Sequence, residues 1–219
     1  MDLFDDLPSE PDATPTSLGP GALLLRGFVL NEAPALLQAV EAVLQQAPLR
    51  HMQTPGGYTM SVATSSCGTL GWVSDPRGYR YATHDPLSGR AWPAMPAVGL
   101  ALAQQAAALA GYPQFSPDAC LINQYQPGAK LSLHQDRDEQ DLSAPIVSLS
   151  LGLPAVFLFG TPSRQDRPQR YQLVHGDVVV WGGLSRLAFH GVAPLAEGAH
   201  VLLGRRRINL TFRQVRRLA

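Results

Sequence analysis

The sequence predicts an α+β, mainly β fold in which two helices precede a sandwich or jelly roll of short strands. Two observations predict this class. Before residue 117, two segments place apolar residues at helical spacing. Beyond Pro117, seven runs rich in β-branched and aromatic residues alternate with Gly, Pro, Asp or Ser turns, without a helical period or an internal repeat. Helices followed by a dense set of strands favour a sheet that is covered by helices from outside.

The composition is that of a globular protein of about one domain. The chain has 219 residues, of which 45% are hydrophobic and 16% charged, and this excludes global disorder. Its formal net charge is zero, yet residues 1–159 hold seven Lys or Arg against fourteen acids, whereas residues 160–219 hold ten Arg against three acids. The neutral total therefore says little about charged partners such as nucleic acid.

The N-terminal stretch is acidic and rich in Pro and Ser, and we expect residues 1–20 to form a flexible leader. It lacks the apolar core of a signal peptide, and no apolar run in the chain reaches the length of a membrane span. Cys67 and Cys120 lie far apart in the sequence and form no CxxC pair, so free thiols in a reducing compartment are expected. We therefore expect a soluble, cytoplasmic protein.

Periodicity and turn residues predict the elements that follow the leader. Residues 22–30 resemble an interrupted strand, and a helix is predicted from an N-cap at Asn31 to near Pro48. Residues 54–92 predict short strands with long connections, and an Ala-rich segment predicts a helix over about 94–110. The later strand-like runs are ACLINQY, APIVSLSLG, AVFLFG, RYQLV, DVVVWGG, RLAFHG and RINLTFRQV.

Two His-x-Asp motifs occur in a chain whose composition predicts about 0.5 His-x-acid matches by chance. A lone motif of this kind therefore carries little weight. His134 and Asp136 follow a strand-like run, and residues two apart in a strand point to the same face, so both can present donor atoms to one ion. His175 and Asp177 flank a Gly between two strands, which favours a tight turn between antiparallel strands over a metal site.

A metal site needs more ligands, and His190 ends another strand-like run 54 positions after Asp136. Two His and one carboxylate on one side of a metal leave three positions free, which is the arrangement of non-haem Fe(II) oxygenases. Without a further element, His134 and His190 would be interpreted as surface or hydrogen-bonded residues.

The further element is the run RINLTFRQV, in which polar and apolar residues alternate. Its polar positions are Arg207, Asn209, Thr211 and Arg213. One interpretation is an edge strand with a solvated polar face. The other is that both Arg residues point into a barrel interior, where their long side chains bind the two ends of a short dicarboxylate. An iron site beside such a clamp points to a 2-oxoglutarate-dependent oxygenase.

Six segments together resemble the bacterial AlkB DNA-repair dioxygenases over about residues 22–214. They are TPGGYTMSV, LGW, GYPQFSPDACLINQYQPGAKLSLHQDRDE, APIVSLSLGLPAVFLFG, HGDVVVWGG and RINLTFRQ. The resemblance implies a double-stranded β-helix (jelly-roll) core at 117–215. It implies a substrate-covering extension with supporting helices at 21–116, within one structural domain. It also implies Fe(II) as cofactor, with 2-oxoglutarate and O2 as cosubstrates.

The same resemblance implies an activity: oxidative demethylation of bases alkylated on their pairing edge, chiefly 1-methyladenine and 3-methylcytosine in DNA. Formaldehyde, succinate and CO2 would be released, and RNA is a further candidate substrate. We expect a monomer that binds single- or double-stranded DNA around one flipped base. Arg137 stands where close relatives often have Lys, and the loop at 161–170 differs in detail, so the preferences for lesion and strand stay open.

By position, the resemblance implies three groups of site residues. The iron ligands are His134, Asp136 and His190. The 2-oxoglutarate contacts are Asn123, Tyr125, Arg207, Asn209 and Arg213, with Arg207 at the distal carboxylate and Arg213 nearer the metal. The substrate contacts are Trp72, Tyr79, Tyr81, Asp138 and Arg164.

The substrate contacts have a physical rationale. A methyl group on a pairing nitrogen makes the base cationic and blocks pairing, so flipping it out of the duplex costs less than flipping an intact base. The carboxylate of Asp138 would favour that cation, and Trp72 offers a flat face for stacking. The simpler interpretations are a loop aromatic packed on the core for Trp72 and an exposed hairpin for Tyr79 and Tyr81.

Two other functions stay open at this point. A 2-oxoglutarate-dependent hydroxylase of a protein or a small molecule would share the metal and dicarboxylate residues and would differ only on the substrate face. A non-catalytic β-sandwich or cupin-like binding module with a structural metal would share only the architecture and the metal ligands.

Overall fold

The computed structural model describes residues 14–217. The helices of this part of the chain are α1 (Ala33–Gln46), α2 (Ala97–Leu109) and the 3-10 helix η1 (Gly183–Ser185). The strands are β1 (Thr16–Gly19), β2 (Ala22–Leu25), β3 (Arg50–Gln53), β4 (Thr59–Gly68), β5 (Gly71–Asp75), β6 (Gly78–Ala82), β7 (Ala119–Tyr125), β8 (Leu131–His134), β9 (Ile146–Gly152), β10 (Ala155–Phe159), β11 (Gln169–Leu173), β12 (Val178–Trp181), β13 (His190–Val192) and β14 (Arg207–Arg213).

The strands form two antiparallel sheets and a separate hairpin. The larger sheet has the order β1-β2-β12-β9-β14-β7-β4-β3, and the smaller sheet has the order β11-β10-β13-β8. β5 and β6 pair only with each other in the described part of the chain. Two antiparallel sheets packed face to face confirm the predicted jelly-roll core. The larger sheet takes strands from both sides of residue 117, so the two predicted segments share one sheet.

The fold has two main apolar cores. The first lies between the helices and the outer face of the larger sheet, where Leu36 of α1 and Leu102 of α2 belong to the same cluster as Phe212 of β14. The second lies between the two sheets and contains Phe157 of β10 and Trp181 of β12. The helices therefore cover one sheet from outside, as the sequence predicts.

β14 explains how a polar face is placed inside the jelly roll. Its apolar residues, Ile208, Leu210 and Phe212, join the core beneath the helices. Its polar residues consequently face the other way, because side chains alternate along a strand. The strand lies between β9 and β7, and all seven of its residues are buried. The interpretation of this run as a solvated edge strand is therefore wrong.

The N-terminal part differs from the prediction in three places. Residues 1–13 of the expected leader lie outside the described residues, and Thr16–Gly19 is strand β1 rather than leader. The predicted strand at 22–30 ends at Leu25, because a turn follows in which Gly27 takes a φ of 60°, a conformation that favours glycine. α1 begins after Glu32 and not after an Asn31 cap, and the side chain of Glu32 does not cap a backbone N–H group of the helix.

The turn predicted at His175 and Asp177 is confirmed, but it joins β11 of the smaller sheet to β12 of the larger one instead of forming a hairpin. The Asp177 carboxylate is fully buried and accepts hydrogen bonds from the backbone N–H groups of Gly27 and Val174. Arg26 also donates to it over 2.6 Å. Asp177 therefore stabilises a crossing point between the sheets.

The two cysteines are free thiols, as predicted, but they are neighbours in space. Cys67 of β4 and Cys120 of β7 lie directly opposite each other, and both are buried. Burial raises the pKa of the Cys120 thiol well above its ordinary value, which disfavours the reactive thiolate. Among residues 14–217, no helix is long and apolar enough to cross a membrane.

Candidate metal and cosubstrate site

Three side chains meet where the smaller sheet ends. His134 is the last residue of β8 and pairs directly with His190, the first residue of β13, so the register of two strands brings the imidazoles together. Asp136 lies just beyond the end of β8, not within a strand, and it still turns its carboxylate toward both rings. The candidate ligand atoms of the three residues all lie within 4.8 Å of one another. This is the set that the sequence predicts as iron ligands.

Hydrogen bonds aim both imidazoles at the same point. The Nδ1 atom of His134 lies 2.9 Å from the carbonyl oxygen of Ser132, and that of His190 lies 3.0 Å from the carbonyl oxygen of Ala188. A proton on Nδ1 leaves the lone pair on Nε2, and the Nε2 atoms lie 3.5 and 3.8 Å from the oxygens of Asp136. Backbone carbonyls that orient ligating histidines in this way are typical of metal sites.

The charge states of Asp136 and His190 suit a divalent cation. Burial alone would raise the pKa of Asp136, but Arg213 and the two histidines hold it well below its ordinary value. Burial, together with the proximity of His134, lowers the pKa of His190 to about 4. The site therefore offers an ionised carboxylate and a neutral imidazole, the forms that bind a metal ion. The donor set of two nitrogens and a carboxylate fits Fe(II).

Arg207 provides an anion site deeper between the sheets. Its side chain is 2% exposed, and its guanidinium lies 5.1 Å from the centre of the Tyr125 ring. Nη2 donates to Ser150 over 3.0 Å, whereas Nε and Nη1 are buried without a hydrogen-bond partner among residues 14–217. Such a buried cation with unsatisfied donors is costly unless a ligand completes it. A carboxylate of 2-oxoglutarate fits that requirement.

Hydrogen bonds link neutral polar side chains of the central strands β7, β9 and β14. Asn209 donates from Nδ2 to the Ser148 hydroxyl over 2.7 Å and accepts from Thr211 over 2.9 Å. Asn123 donates to Asn209 over 3.3 Å. These hydrogen bonds hold the predicted cosubstrate residues Asn123 and Asn209 in defined positions along the central strands.

The β5–β6 hairpin carries three of the predicted substrate residues. The rings of Trp72 and Tyr79 are stacked with centroids 5.5 Å apart and planes inclined by 13°. The indole N–H of Trp72 donates to Asp138 over 3.1 Å. The structure therefore brings Trp72 and Asp138 together, and Trp72 is not a core aromatic, because one end of it contacts an exposed carboxylate.

Tyr81, on the same hairpin, is turned inward. Its hydroxyl donates to Glu139 over 2.6 Å, and burial raises its pKa well above the ordinary value. Arg164 lies on an exposed loop, with its guanidinium 5.6 Å from the ring centre of Phe189, the residue before His190.

Sequence reasoning missed two buried charges at this site. Glu139 contacts Arg213 over 3.4 Å and Arg186 over 3.0 Å, and both Glu139 and Arg186 are buried. Their positions carried a signal, since Glu139 lies three residues after Asp136 and Arg186 lies four residues before His190. Closeness in the sequence to a metal ligand did not by itself distinguish Glu139 and Arg186 from solvated charges.

Comparisons with known proteins agree with this geometry. The sequence model of the 2OG-Fe(II) oxygenase superfamily matches residues 21–213 of this chain. The alpha-ketoglutarate-dependent dioxygenase AlkB of Salmonella typhimurium is 56% identical over 214 residues, which cover 98% of this chain and 97% of that protein. The tRNA demethylase abh1 of Schizosaccharomyces pombe is 40% identical over 111 residues, which cover 45% of this chain and 37% of that protein.

The fold also matches a solved structure described as the structure of OsALKBH1, with a TM-score of 0.80 and 29% identity over 92% of this chain and all of that one. The residues matched by the superfamily model include every candidate metal ligand. The chain therefore belongs to the 2OG-Fe(II) oxygenase superfamily and, within it, to the AlkB family of dioxygenases, which use Fe(II), 2-oxoglutarate and O2.

Proposed function

We propose that the protein demethylates N-alkylated bases in DNA, with 1-methyladenine and 3-methylcytosine as its main substrates. The observation that carries the proposal is the combination of a His-Asp-His cluster, a buried Arg with unsatisfied donors and an aromatic hairpin that contacts a carboxylate two residues after the Asp of the cluster. The His-Asp-His cluster serves the metal, and the buried Arg serves the cosubstrate. The hairpin offers aromatic rings for a flat base and, at Asp138, a carboxylate for its positive charge.

On this proposal, His134, Asp136 and His190 hold Fe(II), and the side chains of β14 hold 2-oxoglutarate. Fe(II) and 2-oxoglutarate, bound together, would supply with O2 the oxidising chemistry that hydroxylates the methyl group of the substrate, and 2-oxoglutarate would leave as succinate and CO2. Arg207 binds the distal carboxylate through its free Nε and Nη1 atoms, beside Tyr125. Arg213 keeps the Asp136 ligand ionised, since it donates to that carboxylate from two nitrogens.

The hairpin and Asp138 position the base. Trp72 and Tyr79 present stacked rings, on which a flipped base can stack. Asp138 accepts from Trp72 in this structure, and its carboxylate favours a cationic methylated base over the neutral repaired base. The hydroxylated N-methyl group is unstable, so it leaves as formaldehyde and the unmodified base is restored.

RNA is a second candidate substrate, which the similarity to a tRNA demethylase supports. We further propose that residues 21–116 form the substrate-covering part and residues 117–215 the catalytic core. We also propose that the protein is a monomer and that it acts in the cytoplasm on single- or double-stranded DNA.

A product assay tests it directly. A single-stranded oligodeoxynucleotide carrying one 3-methylcytosine is incubated with the protein, Fe(II) and O2, with and without 2-oxoglutarate. We expect repaired base and formaldehyde only when 2-oxoglutarate is present, and none with His134→Ala. Succinate formed equally with and without the methylated strand would instead support a hydroxylase of another substrate.

A further inference from the structure

The segment between β8 and β9 contains three acidic residues at or near the candidate metal site on an irregular backbone. Residues 135–145 form neither helix nor strand, yet they contain Asp136, Asp138 and Glu139. A backbone without a hydrogen-bond ladder needs other partners for its buried polar groups. The position of a metal ligand on such a segment therefore depends on the side chains that bind the segment.

Arg186 is such a side chain. It follows η1, is 3% exposed, and donates to three acceptors of the irregular segment. Nη1 lies 2.6 Å from the carbonyl oxygen of Asp136, Nε lies 2.9 Å from that of Ala144, and Nη2 lies 3.0 Å from Oε2 of Glu139. Because the bonded carbonyl belongs to Asp136 itself, Arg186 holds the peptide plane next to the Cα atom that carries the ligand side chain.

The same arginine connects the second ligand-bearing segment to the first. Arg186 lies four residues before His190. The carbonyl oxygen of the next residue, Leu187, accepts from the side-chain Nε2 atom of Gln135 over 2.6 Å. Two hydrogen bonds thus join residues 135–136 to residues 186–187. They hold the segment before His190 close to the segment that follows His134.

Buried charges around Arg186 are balanced. Glu139 lies between Arg186 and Arg213 and also accepts from the Tyr81 hydroxyl over 2.6 Å. Asp136 is the second carboxylate bound by Arg213. A buried cation paired in this way is held firmly, because either charge alone would be left unpaired in a low-dielectric interior.

We propose that Arg186, with Glu139 as its counter-ion, is a positioning residue of the metal site. Its planar guanidinium holds two carbonyl oxygens and a carboxylate at once, so that Asp136 and His190 stay at a distance that suits one metal ion. This role rests on the assignment of His134, Asp136 and His190 as the metal ligands. Arg186 contacts no ligand atom itself and acts only through the segment that it binds.

The test measures binding of Mn(II) to the full chain without O2, by the loss of the electron paramagnetic resonance signal of free Mn(II). Arg186→Lys keeps the charge but loses the planar set of donors, and Arg186→Met loses both. We expect each to weaken Mn(II) binding about 10- to 100-fold, the usual effect of removing a residue that orients metal ligands. Arg26→Met is the matched control, since Arg26 also bonds a buried carboxylate and a backbone carbonyl, at Asp177 and Gln172.

The unfolding midpoint of every variant is measured in parallel. The proposal predicts weak Mn(II) binding by Arg186→Lys while its fold is intact, and wild-type binding by Arg26→Met even if that variant is less stable. Wild-type affinity in a folded Arg186→Lys would overturn the inference. Equal losses of affinity in the Arg26 and Arg186 variants would overturn it too, because they would reveal a purely structural effect. If His134→Ala binds Mn(II) as tightly as the wild type, the ligand assignment fails instead.

Discussion

Arg213 donates from both Nε and Nη2 to the same carboxylate oxygen of Asp136, at 3.0 and 2.7 Å. A candidate metal ligand and a candidate cosubstrate residue are thus joined directly, across the space between β14 and the end of β8. The other oxygen of Asp136 lies 3.5 Å from Nε2 of His134. The carboxylate therefore has Arg213 at one oxygen and His134 at the other, and Nε2 of His190 lies 3.8 Å from the oxygen that Arg213 binds.

Replacement of Arg213 by Met should destabilise the metal-free protein. Asp136 would remain buried without its main counter-charge, and loss of one partner of a buried pair costs about 3 kcal/mol. Urea unfolding of the metal-free chain measures this loss. Mn(II) should restore more stability to the variant than to the wild type, because the ion replaces the missing positive charge. The exposed pair Arg205–Glu197 supplies the control, where Arg205→Met should change stability by less than about 1 kcal/mol.

Arg207→Lys should reduce the affinity for 2-oxoglutarate by about tenfold or more. A lysine keeps the charge but cannot supply the two free guanidinium donors in a fixed plane. Anaerobic titration calorimetry with Mn(II) present measures the affinity without turnover. Arg206→Lys, at the adjacent exposed position, should bind the cosubstrate like the wild type. Equal affinities in the two variants would place the dicarboxylate elsewhere.

Trp72→Ala should weaken binding of a methylated single-stranded oligonucleotide by about 1–3 kcal/mol, the value of one base stacked on an aromatic side chain. Trp72→Phe keeps a flat ring but loses the N–H that donates to Asp138. We expect it to retain most of the affinity. Fluorescence anisotropy with Mn(II) and 2-oxoglutarate present measures both variants. A Phe variant as weak as the Ala variant would show that the contact with Asp138, and not stacking, is what matters.

The stability of the metal-free protein should fall in mild acid partly because of His175. Its Nδ1 accepts from the N–H of Gly152 over 3.0 Å, which requires an unprotonated nitrogen. Burial, helped by His200, lowers the pKa of His175 below its ordinary value of 6.5. The unfolded chain therefore takes up the proton first, so this stabilisation is complete above pH 6.5 and is lost as the pH falls below it.

The variant His175→Asn keeps an acceptor near the same place and cannot titrate. We expect its free energy of unfolding, measured in urea from pH 7.5 to pH 5, to depend less on pH than that of the wild type. An unchanged pH dependence would mean that other groups, such as His190, account for the whole effect.

The sequence by itself predicted the class of the fold and the three residues that the structure brings together as the candidate metal site. Strand-like runs after Pro117 predicted the β core, and the residues around His134, Asp136 and His190 matched a family closely enough to name cofactor and cosubstrate. Local pattern suffices for each strand and each motif, because both depend on residues that are close together in the chain. The site itself followed only from the resemblance, which links motifs that lie far apart in the sequence.

Only the tertiary structure decided which polar groups are inside. Alternation along β14 separates two faces, but it does not say which face is covered, and the pairing with β9 and β7 settled that point. Arg186 and Glu139 are 47 positions apart, so the sequence could not distinguish a buried pair from two solvated charges. Pairing of distant segments, and the burial that results from it, turned these charges into supports for a metal ligand.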